Sequence, residues 1–235
     1  MANIQPTLVM VDLDGTLIDS IGIFLSGLPA AAARHGVSIT PADVLRDWGE
    51  FVVDVIRRKA GDEERTRRVY ADFERFFFAE HAHLATPFPL VVEGLPRLRK
   101  AVQSLGVVTS RPRARADLIL DFPWSKALDF VISGDDAPRK KPFPDALEAA
   151  IQRHGAGCTR FIYLGDSWVD IEAARRSRTR IFAAAACWGQ QDRAKLMASR
   201  PDGCFTEFLS FVEWVESRQG LPLSPLPSCR TGNDH

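Results

Sequence analysis

Two aspartates two residues apart, Asp12 and Asp14, end an apolar run, Leu8 to Val11, and Gly15 follows at once. A short run of this kind, rich in β-branched residues, fits a strand buried on both faces. If that strand ends near Asp12, both carboxylates lie at its carboxyl edge, where open parallel sheets bind ligands. Acids this close repel each other unless a cation or a shared proton relieves them. The glycine beside them lets the backbone turn sharply and come close to a substrate. Similar polar endings recur downstream. Leu105 to Val108 runs into Thr109-Ser110-Arg111-Pro112, and Phe161 to Leu164 runs into Gly165-Asp166-Ser167-Trp168-Val169-Asp170. Between these two lies a basic loop held by prolines, Arg139-Lys140-Lys141-Pro142-Phe143-Pro144-Asp145.

The elements that must position these residues alternate. Further strands are expected at Phe130 to Ser133, Ile181 to Ala185 and around Cys204-Phe205. Helices are expected from Glu93-Gly94-Leu95-Pro96 to Ser104, from Arg113 to about Leu120, and over 146–154, 171–176, 192–198 and 208–216. This alternation implies an α/β, three-layer Rossmann-like core with a mainly parallel sheet. After Ser20 the period changes from strand to helix. Ile21, Phe24, Leu25, Leu28 and Ala32 share one face, and Thr40-Pro41 opens a second helix. That helix continues through Val44, Trp48, Phe51, Val52 and Ile56 to Gly61, and a third spans about Asp62 to His83. No strand signal interrupts this stretch, which is longer than a simple crossover requires. Residues 19–87 therefore read as an inserted α-helical cap, with the core formed by 1–18 and 88–216. His35, Arg46, Trp48, His81 and His83 within the cap read as helix-face or packing residues. The final segment, 217–235, with three prolines between Leu221 and Ser228, reads as a flexible tail.

Composition narrows the class. The chain has 235 residues, with 30 Lys and Arg against 30 Asp and Glu, so no overall field favours nucleic acid or an anionic membrane. Its longest apolar stretch near the end, Ile181 to Trp188, is too short for a membrane span. No basic region followed by an apolar signal core opens the chain. Cys158, Cys187, Cys204 and Cys229 are scattered without metal-ligand spacing and read as reduced thiols of a cytoplasmic protein.

DLDGTLIDS at residues 12–20 resembles the first motif of the haloacid dehalogenase superfamily. Three further motifs match in order: Thr109 at a strand end, Lys-Pro-Phe-Pro-Asp from Lys141, and Gly-Asp-Ser-Trp-Val-Asp from Gly165. The resemblance covers residues 7 to about 215 and is to the phosphoglycolate-phosphatase-like branch, which has a helical cap after its first motif. It departs after the last motif, where Arg176-Ser177 stands in place of the family's usual Ala-Gly.

The resemblance implies a phosphoric monoester hydrolase acting on a small phosphorylated metabolite, phosphoglycolate-like or a sugar phosphate, as a monomer or homodimer. Asp12 would be the nucleophile that forms an aspartyl phosphate. Asp14 would protonate the leaving alcohol and then activate water. Thr109, Ser110 and Lys141 would hold the phosphate. Mg²⁺ would be held by Asp12, the Asp14 carbonyl and Asp166, with Asp170 binding through water, orienting Lys141 or capping its helix. Asp14 counts against a dehalogenase, since halide leaves without an acid. A phosphomutase of β-phosphoglucomutase type is the alternative enzyme, and a binding protein without turnover the alternative outside catalysis.

Overall fold

A computed structural model of the chain describes residues 6–189, 192–218 and 221–226. Its centre is β1, Thr7–Val11, every residue of which is buried. Leu8 and Met10 face one apolar cluster, Val9 and Val11 the other. A strand covered on both sides needs this unbroken apolar run rather than an alternating one. Ser104–Val108 (β4) and Arg160–Gly165 (β6) flank it in parallel, with Val11 opposite Val107 and Leu164. Phe130–Ile132 (β5) extends the sheet beyond β4. Phe182–Ala186 and Gly203–Phe205, which follow β6 in the chain, extend it on the other side. All six strands are parallel, and the chain reverses its direction of travel at β1, where such sheets open a ligand crevice. Helices Asp145–His154 and Trp168–Arg176 cover one face through Leu147, Ala150, Ile171 and Ala173. Helices Val91–Ala101 and Phe208–Ser217 cover the other through Leu95, Leu98, Phe208 and Phe211. The expected three-layer α/β architecture is present.

Between β1 and β4 the chain makes a two-stranded ribbon, Ile18–Asp19 (β2) against Thr86–Pro87 (β3), antiparallel. Four helices lie between its strands: α1 (Ile21–Arg34), α2 (Pro41–Arg46), α3 (Val52–Ala60) and α4 (Glu63–Leu84). Phe24, Phe73 and Phe77 join α1 to α4, with ring centroids 5.4–6.1 Å apart.

Three details differ from the sequence expectation. The helix expected from Thr40 to Gly61 is two helices, because Gly49 takes φ +87°, in the left-handed region, and breaks it. A Cβ at Gly49 would lie 2.8 Å from the Ser167 side chain, so the break carries the loop onto the core. The helix expected from Arg113 to about Leu120 is one turn, Arg113–Ala116 (α6), followed by 3₁₀ turns over 117–121 and 123–127, the second started by Pro123. The tail expected to be mobile from 217 is docked over 221–226. Leu226 donates its N–H to the Asp202 carbonyl at 2.7 Å, and Leu223 and Leu226 pack against the core. Residues 227–235, Cys229 among them, lie outside the described residues. Among the described residues, Cys158, Cys187 and Cys204 form no disulfide. No helix of the described residues is long and apolar enough to cross a membrane.

Candidate active site

Three adjacent strands each release a polar residue immediately beyond their last position. Asp12 follows β1, Thr109 follows β4 and Asp166 follows β6. The sheet ladder still holds two of them, Asp12 N–H on the Leu164 carbonyl at 2.8 Å and Thr109 N–H on the Ile132 carbonyl at 3.0 Å. All three are buried, at 7%, 2% and 1% exposure. The loop before Asp145–His154 brings Lys141 to the same edge. Its Nζ lies 2.9 Å from Asp12 Oδ1, 2.6 Å from Asp170 Oδ1 and 3.0 Å from the Tyr163 hydroxyl.

Asp170 sits in the first turn of Trp168–Arg176 (α8) and is fully buried. Its Oδ2 accepts from the backbone and side chain of Ser167 at 3.0 and 2.7 Å, forming a capping box, while Oδ1 takes Lys141 and the Tyr163 hydroxyl. Both oxygens of Asp170 are therefore committed within the protein. Gly15 lies against Asp166 with φ +76°, and a Cβ there would be 2.1 Å from Asp166 Oδ2, so only glycine fits between the first and fourth motifs.

Oxygens of Asp12, Asp166 and Asp170 all lie within 4.8 Å of one another. Burial pushes the Asp12 carboxyl up to about 7, a rise that Lys141 opposes and Asp170 reinforces. Burial, with the charges of Asp170 and Asp12, pushes Asp166 well above the carboxylate range. Burial pulls Lys141 down, but the Asp12 and Asp170 charges outweigh it and hold the ammonium firmly protonated. Three buried carboxylates against one lysine leave an excess of negative charge that a hard divalent cation would neutralise. The donor set is all oxygen, so it fits Mg²⁺.

Asp14 is turned away from this cluster. Arg111 grips it with both arms of its fork, Nε to Oδ2 at 2.7 Å and Nη2 to Oδ1 at 2.5 Å, and the Ser20 hydroxyl donates to Oδ1. Burial alone would raise the Asp14 carboxyl, but Arg111, helped by Ser20, outweighs it and holds the group below its usual value. Ser110 lines the cavity in front of these groups, half-buried. That cavity, about 90 Å³, is closed on its far side by Phe24, Trp48, Phe51 and Val55 of the helical insertion.

Three residues of this site, Trp48, His81 and Arg111, carry no role in the sequence expectation. Trp48, read as a helix-face residue, donates its indole N–H to Asp166 Oδ2 at 2.9 Å, from the loop that Gly49 creates. His81, read likewise, is 4% exposed and accepts from Arg111 Nη1 at 3.2 Å through its Nε2. Arg111 was passed over altogether. The Trp48-Gly49 pair inside a helical pattern signalled the break, and the arginine directly after Thr109-Ser110, stiffened by Pro112, was the only sequence sign of the other contact.

The model of the haloacid dehalogenase-like hydrolase family matches residues 9–184, which include every residue discussed above as far as Asp170. The chain belongs to the haloacid dehalogenase-like hydrolases. Among curated members, it is 30% identical over 188 residues to phosphoglycolate phosphatase 1 of Pseudomonas aeruginosa, covering 76% of this chain and 69% of that protein. It is 28% identical over 195 residues to the pyrophosphatase PpaX of Oceanobacillus iheyensis, with 83% and 89% coverage. It is 28% identical over 207 residues to a phosphoglycolate phosphatase of Nitrosococcus oceani, with 84% and 91% coverage. A haloacid dehalogenase-like family hydrolase of Streptococcus pneumoniae superposes with a TM-score of 0.76 at 21% identity, over 89% of this chain and 98% of that one. This last likeness shows the common fold.

Proposed function

We propose that this hydrolase is a cytoplasmic, Mg²⁺-dependent phosphatase of a small phosphorylated metabolite, with Asp12 as nucleophile and Asp14 as general acid and base. The observation that carries the reading is the Lys141–Asp12 contact at 2.9 Å, inside a ring of Thr109, Asp166 and Asp170 at one sheet edge. A phosphate monoester is a dianion, and an aspartate attacking it needs positive charge close to both partners. Lys141 supplies one such charge, held in line by Asp170 and Tyr163. Asp12, Asp166 and the Asp14 carbonyl would hold Mg²⁺, with Asp170 as the residue that orients Lys141. The ion, when bound, supplies the remaining charge that steadies the transferring oxygens.

Asp12 displaces the leaving oxygen and takes the phosphoryl group as an aspartyl phosphate. Asp14, held ionised by the Arg111 fork as the site stands, takes up a proton and frees one oxygen from the fork before giving that proton to the departing alcohol, and later removes one from the attacking water, help typically worth ~10²–10⁴-fold. The Thr109 hydroxyl and Ser110 bind the phosphoryl oxygens. Residues 19–87 act as a cap that shields the first transfer and admits water for the second, moving on the β2–β3 ribbon. Phosphoglycolate and sugar phosphates are the substrate candidates, since several relatives are named for the former.

Phosphate release from a panel of phosphorylated metabolites, with Mg²⁺ and after chelation, tests this reading. Metal-dependent release from at least one small monoester, lost in Asp12→Asn, is expected. Turnover only in the presence of a bisphosphate activator, with transfer between two positions of a sugar, would instead support the phosphomutase.

A further inference from the structure

We propose that Arg111 is the positioning residue of Asp14, and that His81 on the helical insertion holds Arg111 in the orientation this requires. The proposal rests on the reading of Asp14 as acid and base. Arg111 is 3% exposed, and each of its guanidinium nitrogens is engaged. Nε and Nη2 take the two oxygens of Asp14, while Nη1 takes His81 Nε2 at 3.2 Å and the Arg115 carbonyl at 3.3 Å. The plane of the fork is fixed again by the Phe77 ring, 4.9 Å from its carbon. At the backbone, Arg111 N–H donates to Thr109 Oγ1 at 3.1 Å, so the residue is tied to the loop that bears Thr109.

A planar fork anchored on both sides fixes the plane of the carboxylate it grips, which a lysine in its place cannot do. Proton transfer demands that kind of placement, because a displacement of about 1 Å can cost on the order of 10²-fold. His81 and Phe77 belong to α4, whereas Arg111 belongs to the core loop after β4. The placement of Asp14 thus depends on where α4 sits, and an opened cap would withdraw the second anchor. Arg111 donates to His81, so the ring serves as acceptor, a role that glutamine can fill and phenylalanine cannot.

The test compares Arg111→Met, His81→Phe and His81→Gln with Asp14→Asn, in the full chain with Mg²⁺, on an alkyl phosphate and on p-nitrophenyl phosphate. Nitrophenolate leaves without a proton, so loss of a positioned acid spares the first step on that substrate. Arg111→Met is expected to lower kcat on the alkyl phosphate by on the order of 10²-fold, with KM little changed. It should keep the initial burst of nitrophenolate. His81→Phe should show the same pattern more weakly, and His81→Gln should stay near wild type on both substrates. Equal loss on both substrates without a burst of nitrophenolate, or an unchanged rate on the alkyl phosphate, overturns the proposal.

If Arg111→Met does not fold, Arg111→Lys replaces it, with a partial loss on the alkyl substrate and a retained burst of nitrophenolate expected, and an equal loss on both without a burst overturning. The double variant Asp14→Asn with Arg111→Met separates this proposal from the reading beneath it. Asp14→Asn without any leaving-group dependence refutes the acid–base role. A double variant no slower than Asp14→Asn alone still shows that Arg111 acts through Asp14. A further drop equal to that of the single Arg111 variant shows that it does not.

Discussion

The Trp48 indole N–H reaches from the helical insertion to Asp166 Oδ2, 2.9 Å across the active-site cavity. The other oxygen of the same carboxylate accepts the Thr16 hydroxyl at 3.3 Å. A cation bound at Asp166 has to compete with these donors, and a hydrogen bond of this kind is worth about 0.5–1.5 kcal/mol net. Trp48→Phe leaves an aromatic ring beside Phe24, whose centroid lies 5.3 Å from that of Trp48, and removes the donor. Mg²⁺ should then bind about 2- to 10-fold more tightly. Isothermal titration of both proteins checks this, and equal or weaker binding by the variant contradicts it.

His81 makes stability fall on the acid side. Burial, aided by Arg111, pulls its pKa down from 6.5 to about 4. The unfolded chain takes up the proton first as pH falls, so the contribution of His81 is whole above 6.5 and is lost towards 4. The loss amounts to at most about 3 kcal/mol. Denaturant unfolding of wild type and His81→Gln should therefore diverge in this window, with wild type losing more. Parallel curves would show that the ring is already charged in the fold.

Asp12 acts in the opposite sense. Its carboxyl is raised from 3.8 to about 7 by burial, so its contribution is whole below 3.8 and is lost as pH rises through 7. For the protein without metal this amounts to at most about 4 kcal/mol. Asp12→Asn, which has no charge to bury, should lack this part of the slope. Mg²⁺ should raise the melting temperature of wild type more near pH 8 than near pH 5, because proton and metal compete for the same oxygens. A stabilisation independent of pH would place the ion elsewhere.

Much of this was legible because the candidate site sits where strands end. Asp12, Thr109 and Asp166 each close an apolar run, and a run that stops abruptly at a polar residue can be read without tertiary information. Lys141 was legible only through the resemblance of Lys-Pro-Phe-Pro-Asp to the family's third motif, since Lys140 stands beside it in the same proline-bounded loop. Trp48 and His81 were not, since a helical period says which face a residue occupies but not which neighbour meets that face. The contact of Trp48 depends on a left-handed glycine at position 49, and that of His81 on an arginine 30 positions away. Short strands β2 and β3, two residues each, have no periodicity to detect.

The proposed nucleophile is tested most directly by stopping the reaction halfway. With Asp14→Asn and p-nitrophenyl phosphate, the first step should proceed without an acid while water attack should lack its base. Rapid quench should show a burst of nitrophenolate approaching one per active site, followed by slow turnover. Peptide mapping of the quenched protein should find the phosphoryl group on Asp12. A burst with the phosphoryl group on another residue, or turnover of Asp12→Asn above about a hundredth of wild type, would contradict the account.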